Sequence, residues 1–430
     1  MKRRVGAAAG IALIGTIAVV GCSSAGGDGG GSAIGEPGGE VSGTVTFWHS
    51  YTTDSNELDT LDNELIPQFE EEHPDVTVES VPVPYDDLHQ KLVTATAGDT
   101  LPDLVRSDVI WVPELADLGV LVPLDEQMPD FDSYAEQMYQ GPLDTNKWQD
   151  HYYGLPLSTN TRVLMYNQDA LTTAGVDGPP ATFGEMREAA EKLTAEDVYL
   201  FADDDTQGWN VLPWIWSAGG DITDEDVTTS TGYINSAASV EGVQLLVDLY
   251  QQGAVPELLL GSQGGTPTSD GLPSGQYATI LDGPWMYPIF ETQYPDFDLQ
   301  TAPVPAGDGG SISVVGGESV VLTQSSANKA AAAEFLRFLL SEDAQTAMAD
   351  VGQMSVLTGL ADRQVEAHSY YEQFVEQLED ARPRPPTPAW PQIEEVLRTQ
   401  VQLALRGEVP VQDAMDEAAV QIDALLAQHG

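Results

Sequence analysis

The sequence predicts an α/β fold in two lobes, and three observations carry that expectation. Short β-patterned runs alternate with helical stripes from residue 44 onward, the order that builds parallel sheets with helices on both faces. Some 390 residues follow a Gly-rich segment near the N-terminus, more than the ~250–300 residues at which one core stops growing. Finally, 42% of the chain is hydrophobic and there is a single cysteine. No disulfide or thiolate metal site is available, so stability has to come from packed apolar cores.

The first elements concern targeting. Met1-Lys2-Arg3-Arg4 is followed by a charge-free run over 5–21 and then by Val19-Val20-Gly21-Cys22-Ser23-Ser24. A basic start, an apolar stretch and small residues before a cleavage point make an export signal, here 1–21. The four residues ending at Cys22 resemble the lipobox of bacterial lipoproteins, in which the cysteine is lipidated and becomes the mature N-terminus. An uncleaved anchor is the alternative, since the run is close to the ~17-residue lower limit for spanning a bilayer. The position of the only cysteine favours lipidation. Residues 22–43 include nine glycines and serve as a flexible tether, with an r.m.s. reach of roughly 25 Å. The expected location is the extracytoplasmic face of the cell membrane, with membrane contact only through the lipid.

In the body, Thr44-Val45-Thr46-Phe47-Trp48 reads as a strand, and Leu58, Leu61, Leu65 and Phe69 form a helical stripe after it. Val76-Thr77-Val78 with Val81 is a second strand, 88–97 a helix, Asp103-Leu104-Val105 a third strand and 109–118 a helix closed by Gly119. Val163-Leu164-Met165-Tyr166 reads as a strand that leads to Thr182-Phe183-Gly184-Glu185, a capping box ahead of a helix over 186–193. Further helices are expected over 240–251, 330–340 and 393–405. The proline-rich stretch 382–388 has to be irregular.

Charge narrows the partners. The formal net charge is −52, and loss of Lys2, Arg3 and Arg4 with the signal leaves 13 basic against 68 acidic residues. Such a surface repels nucleic acid and anionic headgroups, so neither is expected as a partner. Self-repulsion of this size is best tolerated where salt screens it, and a salt-loving or salt-tolerant host is the expectation. Motifs for nucleophile elbows, phosphate loops and zinc helices are missing. The six histidines, at 49, 73, 89, 151, 368 and 429, are never three or four apart, and no metal or cofactor is expected. Asp203-Asp204-Asp205-Thr206-Gln207-Gly208 starts like a calcium loop but has Trp214 where the closing glutamate belongs, so it reads as a solvated acidic loop. A pair of carboxylates for glycoside hydrolysis remains open among 68 acidic residues.

Several separated segments together resemble the extracellular solute-binding proteins of carbohydrate ABC importers, the maltodextrin-binding-like group. They are Val45-Thr46-Phe47-Trp48-His49; His73-Pro74-Asp75-Val76; Leu101-Pro102-Asp103-Leu104; Tyr153-Gly154-Leu155-Pro156 with Tyr166-Asn167-Gln168-Asp169; Trp216-Ser217-Ala218-Gly219-Gly220; Asp282-Gly283-Pro284-Trp285; and Gly316-Gly317-Glu318-Ser319. Each is weak alone, and their shared order makes the combination specific. The resemblance implies a periplasmic-binding-protein fold with a ligand cleft between lobes and about three hinge crossings, near 156–161, 316–321 and 378–384. It assigns 44–156 with 320–380 to an N-terminal lobe and 157–319 with 381–430 to a C-terminal lobe. It also implies a monomer without enzymatic activity that captures a mono- or oligosaccharide and hands it to permease subunits driven by a cytoplasmic ATPase. A secreted glycan hydrolase is the alternative.

Candidate ligand contacts follow from position and resemblance. Trp285 stands past a strand at Gly283-Pro284, where a flat apolar ring can pack on a sugar's C–H face, and the family places a stacking tryptophan there. His49 and Tyr51 lie past the first strand, and Asp108 with Arg106 past the third, the end at which open α/β sheets hold ligands. Asp108 reads equally well as a helix cap before Val109. Asn160 and Arg162 occupy the first crossing, and Trp209 and Asn210 match the segment under the ligand in the family. Glu318 and Gly317 are further candidates, since Gly316 and Gly317 allow close backbone approach. Arg384 and Trp390 flank the proline-rich third crossing, Arg384 otherwise reading as a surface salt bridge.

Overall fold

The structure, a computed structural model, describes residues 34–52, 56–261 and 265–429. The signal, Cys22 and most of the tether lie outside the described residues. Thirteen strands are found among them: β1 (Gly43–His49), β2 (Val76–Pro82), β3 (Leu104–Asp108), β4 (Lys147–Trp148), β5 (His151–Tyr152), β6 (Leu155–Asn160), β7 (Val163–Tyr166), β8 (Tyr199–Ala202), β9 (Tyr277–Asp282), β10 (Gln300–Ala302), β11 (Ser313–Val314), β12 (Gly316–Leu322) and β13 (Ala381–Arg382). They form a five-stranded sheet of order β2-β1-β3-β12-β6, a four-stranded sheet of order β10-β7-β9-β8, and the pairs β11-β13 and β4-β5.

In the first sheet, β1 runs parallel to β2 and β3, while β12 is antiparallel to both β3 and β6. Val45, Phe47 and His49 alternate inward along β1, as the two-residue period of a strand requires. Helix Lys329–Leu339 covers this face. Its Phe335 packs edge-on to Phe47 at 5.7 Å and against Phe69 at 4.9 Å. The stripe from Leu58 to Phe69 is helical over 57–72, with π geometry at Leu61–Leu65. Pro67 cannot donate to residue 63, and the widened turn sits just ahead of it.

The second sheet pairs β8 parallel and β7 antiparallel with β9. Helices Gly208–Ser217, Ala237–Gln251, Trp390–Leu405 and Val411–Leu426 form its largest core. Half of the expected capping box is present: Thr182 Oγ1 accepts the Glu185 N–H at 3.2 Å. The Glu185 carboxylate accepts instead from Ala181 N, one residue before the cap.

The segments between the sheets run side by side. Asn160 ends β6 in the first sheet, and Val163 begins β7 in the second. Between them, Thr161 Oγ1 donates to Val314 O at 2.9 Å, and Ser313 Oγ donates to Arg162 O at 2.8 Å. β11 in turn pairs in parallel with β13. This corrects three expected boundaries. Residues 157–160 and 316–319 stay in the first sheet because β6 and β12 pair there from Leu155↔Val320 to Asn160↔Gly316. Conversely, helix Tyr371–Glu379, expected in the N-terminal lobe, buries Tyr371 and Phe374 against Val163, Met165 and Ile280 of the second sheet.

Gly317 is required where the strands cross. Its φ is +130°, and a Cβ there would collide with the Ser158 carbonyl. Gly317→Ala is expected to lower unfolding stability by roughly 2–4 kcal/mol through backbone strain and overpacking. Urea denaturation of the variant against the parent checks this, and an unchanged midpoint would remove the constraint.

Candidate ligand-binding cleft

Because β1, β2 and β3 are parallel, their C-terminal ends fall on one edge, which carries His49 to Tyr51, Tyr85 and Asp108. β8 and β9 are also parallel and end on one edge of the second sheet, beside Asp203 and Asp282, with Arg162 entering the adjacent β7. Trp209, from the first turn of helix Gly208–Ser217, and Arg384, from the proline-rich segment, stand between these groups.

Asp108 caps the turn Val109–Trp111: its Oδ1 accepts from Ile110 N at 2.9 Å. Its Oδ2 accepts from Tyr85 Oη at 2.6 Å, and Arg384 lies 3.6 Å away. The cap foreseen for Asp108 is present: Oδ1 both closes the turn and faces Arg384, while Oδ2 is taken by Tyr85. Arg384 is 8% exposed and also lies 3.6 Å from Glu394, which corrects its reading as a surface salt bridge. Its guanidinium is 5.7 Å from the centre of the Trp209 ring, and that of Arg162 is 5.5 Å away. Trp285 adds a second indole, with its ring 6.2 Å from Trp209 and tilted by 32°.

Arg162 holds the far side. It donates to Trp209 O at 3.1 Å, to Asp203 Oδ1 at 2.9 Å and to Leu281 O. Asn210 donates to the same Asp203 oxygen at 2.7 Å. Asp203 is 3% exposed, so the reading of 203–205 as a solvated acidic loop is corrected. Its first carboxylate is buried against Arg162, and its third is held by Arg398 at 3.0–3.1 Å. Burial pushes the Asp203 carboxyl up to about 6 and Asp282 up to about 7, against the pull of Arg162.

On the first sheet, Arg106 donates to Ser50 Oγ at 2.8 Å and to Gln353 Oε1 at 3.0 Å, and pairs with Glu318 at 2.8 Å. Glu318 also accepts from Ser158 Oγ at 2.6 Å, and its carboxyl is raised by burial. Tyr51 lies under the Arg106 guanidinium at 4.2 Å, so it braces this group from within the lobe. His49 is fully buried, with Nε2 at 2.9 Å from Ser80 Oγ and Nδ1 accepting from Tyr51 N. Burial, with help from Arg106, lowers its pKa to about 3. Both nitrogens are used internally, which places His49 away from ligand contact.

The structure thus brings together Asp108, Arg384, Trp209, Trp285, Asn160, Arg162 and Asn210, with Glu318 opposite Asp108 in the pairing of β12 with β3. It leaves Trp390 in the core, 1% exposed beneath Gly208, and Gly317 at the strand crossing. Sequence reasoning missed Tyr85 and Glu394. The rule that singled out the ends of β1 and β3, applied to β2, would have found Tyr85. Glu394 lies on a helix face and carried no signal. Among the described residues, buried polar atoms without a hydrogen-bond partner include Asn160 Oδ1, Arg162 Nε, Asp203 Oδ2 and Arg384 Nε. Fixed donors and acceptors beside two indoles suit a ligand with hydroxyl groups and an apolar face.

Two edges of parallel strands facing a shared polar cluster, with three chain segments passing between the sheets, define a two-lobed α/β binding protein. The chain belongs to the bacterial extracellular solute-binding proteins, whose family model matches residues 53–346. It is similar to the galactooligosaccharide-binding protein of Bacillus subtilis, 24% identical over 369 residues and covering 83% of this chain and 84% of that one. A lipoprotein of Streptomyces antibioticus is 29% identical over 328 residues, covering 71% and 68%. Among solved structures, the GacH receptor of Streptomyces glaucescens, known unliganded and with acarbose, is 27% identical. It has a TM-score of 0.80, with 91% of this chain and 100% of that one covered.

The raised Asp282 carboxyl has a pH signature. An unfolded aspartate titrates near ~3.9. Across the window from there to about 7 the folded state holds the extra proton, so stability falls as pH rises. Asp282→Asn does not titrate. Its stability relative to the parent is expected to climb between pH 4 and 7.5, measured as urea midpoints at several pH values. Parallel curves for the two proteins would contradict this.

Proposed function

We propose that this protein is the lipid-anchored substrate-binding component of an ABC importer, which captures a mono- or oligosaccharide between its two sheets and delivers it to permease subunits. The observation that carries the reading is the cluster of Trp209 and Trp285 beside the Asp108–Arg384 pair. It offers stacking faces and opposed donors and acceptors within one cleft. The printed names of relatives support the ligand class: one binds galactooligosaccharide and one was solved with acarbose. The strongly acidic surface disfavours anionic solutes and leaves a neutral sugar as the preferred ligand. Lobes joined by three adjacent segments have the construction of a hinge, and a cleft that closes over its sugar presents one shape to the permease.

Titration calorimetry with a panel of mono- and oligosaccharides tests the reading. At least one sugar is expected to bind without being cleaved, and Trp209→Ala or Trp285→Ala to weaken it by at least about tenfold. Sugar cleavage by the purified protein would replace this reading with a hydrolase.

Anchoring rests on Cys22 and its flanks, and a lipoprotein among the relatives supports it. Cells grown with labelled palmitate are expected to label the parent protein and not Cys22→Ser. Equal labelling of both would exclude lipidation at this cysteine.

A further inference from the structure

The sequence places residues 34–42 in a glycine-rich tether, but the structure docks them on the first lobe. Ile34 is 6% exposed and joins the core of that lobe, and Val41 packs on the same core. Between them, Glu36-Pro37-Gly38-Gly39 closes a turn in which Gly39 N donates to Glu36 O at 3.4 Å and Gly38 has a φ of +71°. Proline in second place and a positive-φ glycine in third are what a type II turn demands. The segment therefore has a shape of its own, which a spacer does not need.

A buried arginine holds it. Arg337, 5% exposed, donates from Nη2 to Gly35 O at 3.1 Å, and Gly38 N donates to Glu334 Oε1 at 3.2 Å. The same guanidinium reaches Glu334 at 2.8 Å and the two oxygens of Asp130 at 2.6 and 2.9 Å. Such a forked, charge-assisted pairing fixes the guanidinium in one orientation, and the Gly35 carbonyl is bound by a donor already in place.

Direction gives this docking its consequence. Asn328 Nδ2 donates to Thr44 O at 2.8 Å near the start of β1, and Phe335 meets Phe47 farther along the strand. Helix Lys329–Leu339 therefore advances with β1 toward the cleft edge, where β1 ends at His49. Residues 35–43 lie the opposite way along it, with Gly43 beside Asn328, Gly38 at Glu334 and Gly35 at Arg337. The chain ahead of Ile34 thus joins the lobe at the cleft-ward end of the helix, roughly 14 Å from Asn328 by the helical rise. Without docking it would join at Gly43, on the opposite edge. Docking also shortens the link: eleven residues separate Cys22 from Ile34, and twenty separate it from Gly43. The greatest reach is roughly 40 Å in the first case and roughly 70 Å in the second.

Resting on the lipid anchoring proposed above, we infer that residues 34–42 are an orienting strap, clamped by Arg337, that turns the cleft edge of the first lobe toward the membrane. The permease subunits lie in that membrane, so the strap presents the cleft to the partner that empties it.

The test uses the full mature lipoprotein bound to vesicles that carry an acceptor-labelled lipid, with a donor dye on one introduced cysteine. Asp87→Cys puts the dye past the end of β2, at the cleft edge, and Asp75→Cys puts it just ahead of β2, at the opposite edge; both positions are exposed. In the parent background, energy transfer is expected to be higher from position 87 than from position 75. Arg337→Ala and, separately, the pair Ile34→Ser with Pro37→Gly are expected to abolish or reverse that difference. Both are also expected to let a glutamyl protease cut after Glu36 and Glu40 at least about tenfold faster, because cleavage follows the undocked population. The Ile34/Pro37 pair leaves the contacts among Asp130, Glu334 and Arg337 in place, so it decides the matter should Arg337→Ala unfold the lobe. Equal transfer from both positions in the parent background, or an undiminished difference in the Ile34/Pro37 variant, would overturn the strap and leave the anchoring standing. A mature protein that does not stay with the vesicles would overturn the anchoring and the strap with it.

Discussion

The antiparallel pairing of β6 with β12 is the constraint on which the cleft depends. These strands lie at one edge of the first sheet: β6 leads through Thr161 and Arg162 into β7 of the second, and β12 leads backward through Val315 into β11, which pairs with β13. Gly316 and Gly317 are what allow the approach. A side chain at Gly316 would collide with Asn160 and with the Trp209 ring, and one at Gly317 with the Ser158 carbonyl. Without two adjacent glycines, Trp209 could not reach the crossing, and Arg162 would not be held between its ring and Asp203. The polar cluster is thus a consequence of how closely two backbones pass.

Burial then decides the chemistry of the charges. Three arginines, at 106, 162 and 384, are each at most 8% exposed, and each faces carboxylates. Isolated buried charges are costly, and removing one partner leaves the other stranded. Burial raises the carboxyls of Asp203, Asp282 and Glu318 against the opposing pull of Arg162 on the first two and of Arg106 on the third. Asp203 Oδ2, with the Nε atoms of Arg162 and Arg384, is among the buried polar atoms left without a hydrogen-bond partner.

Much of this was legible in the sequence, for identifiable reasons. Strand β7 is a run of buried apolar residues, and the Thr182 cap is a local side-chain signal, so both could be read without tertiary information. Asp108, Arg162, Trp209 and Trp285 were found because position past a strand end, or an ordered family motif, depends on short stretches. Helix Val411–Leu426 was missed because alanines at 414, 418 and 419 supply much of its buried stripe, a weak hydrophobic signal. The errors share one cause. His49, Asp203, Arg384 and Gly317 were judged by residue type and local position, whereas their roles depend on partners far along the chain: Ser80 for His49, Arg162 for Asp203, Asp108 for Arg384 and Ser158 for Gly317.

Tyr85 shows the same limitation. Local sequence marks it only as a residue after Pro84 at a helix start, a site that usually faces solvent. Its orientation comes from Trp111, 26 positions later, and from Asp108, 23 positions later. Asp108 ends β3, the strand two places across the sheet from β2, and Trp111 belongs to the connection that follows it. Parallel strands bring such connections to one edge whatever their separation in sequence. The first lobe can therefore assemble a rigid aromatic face from loops that carry no shared motif, and change it by substitution there without disturbing the sheet.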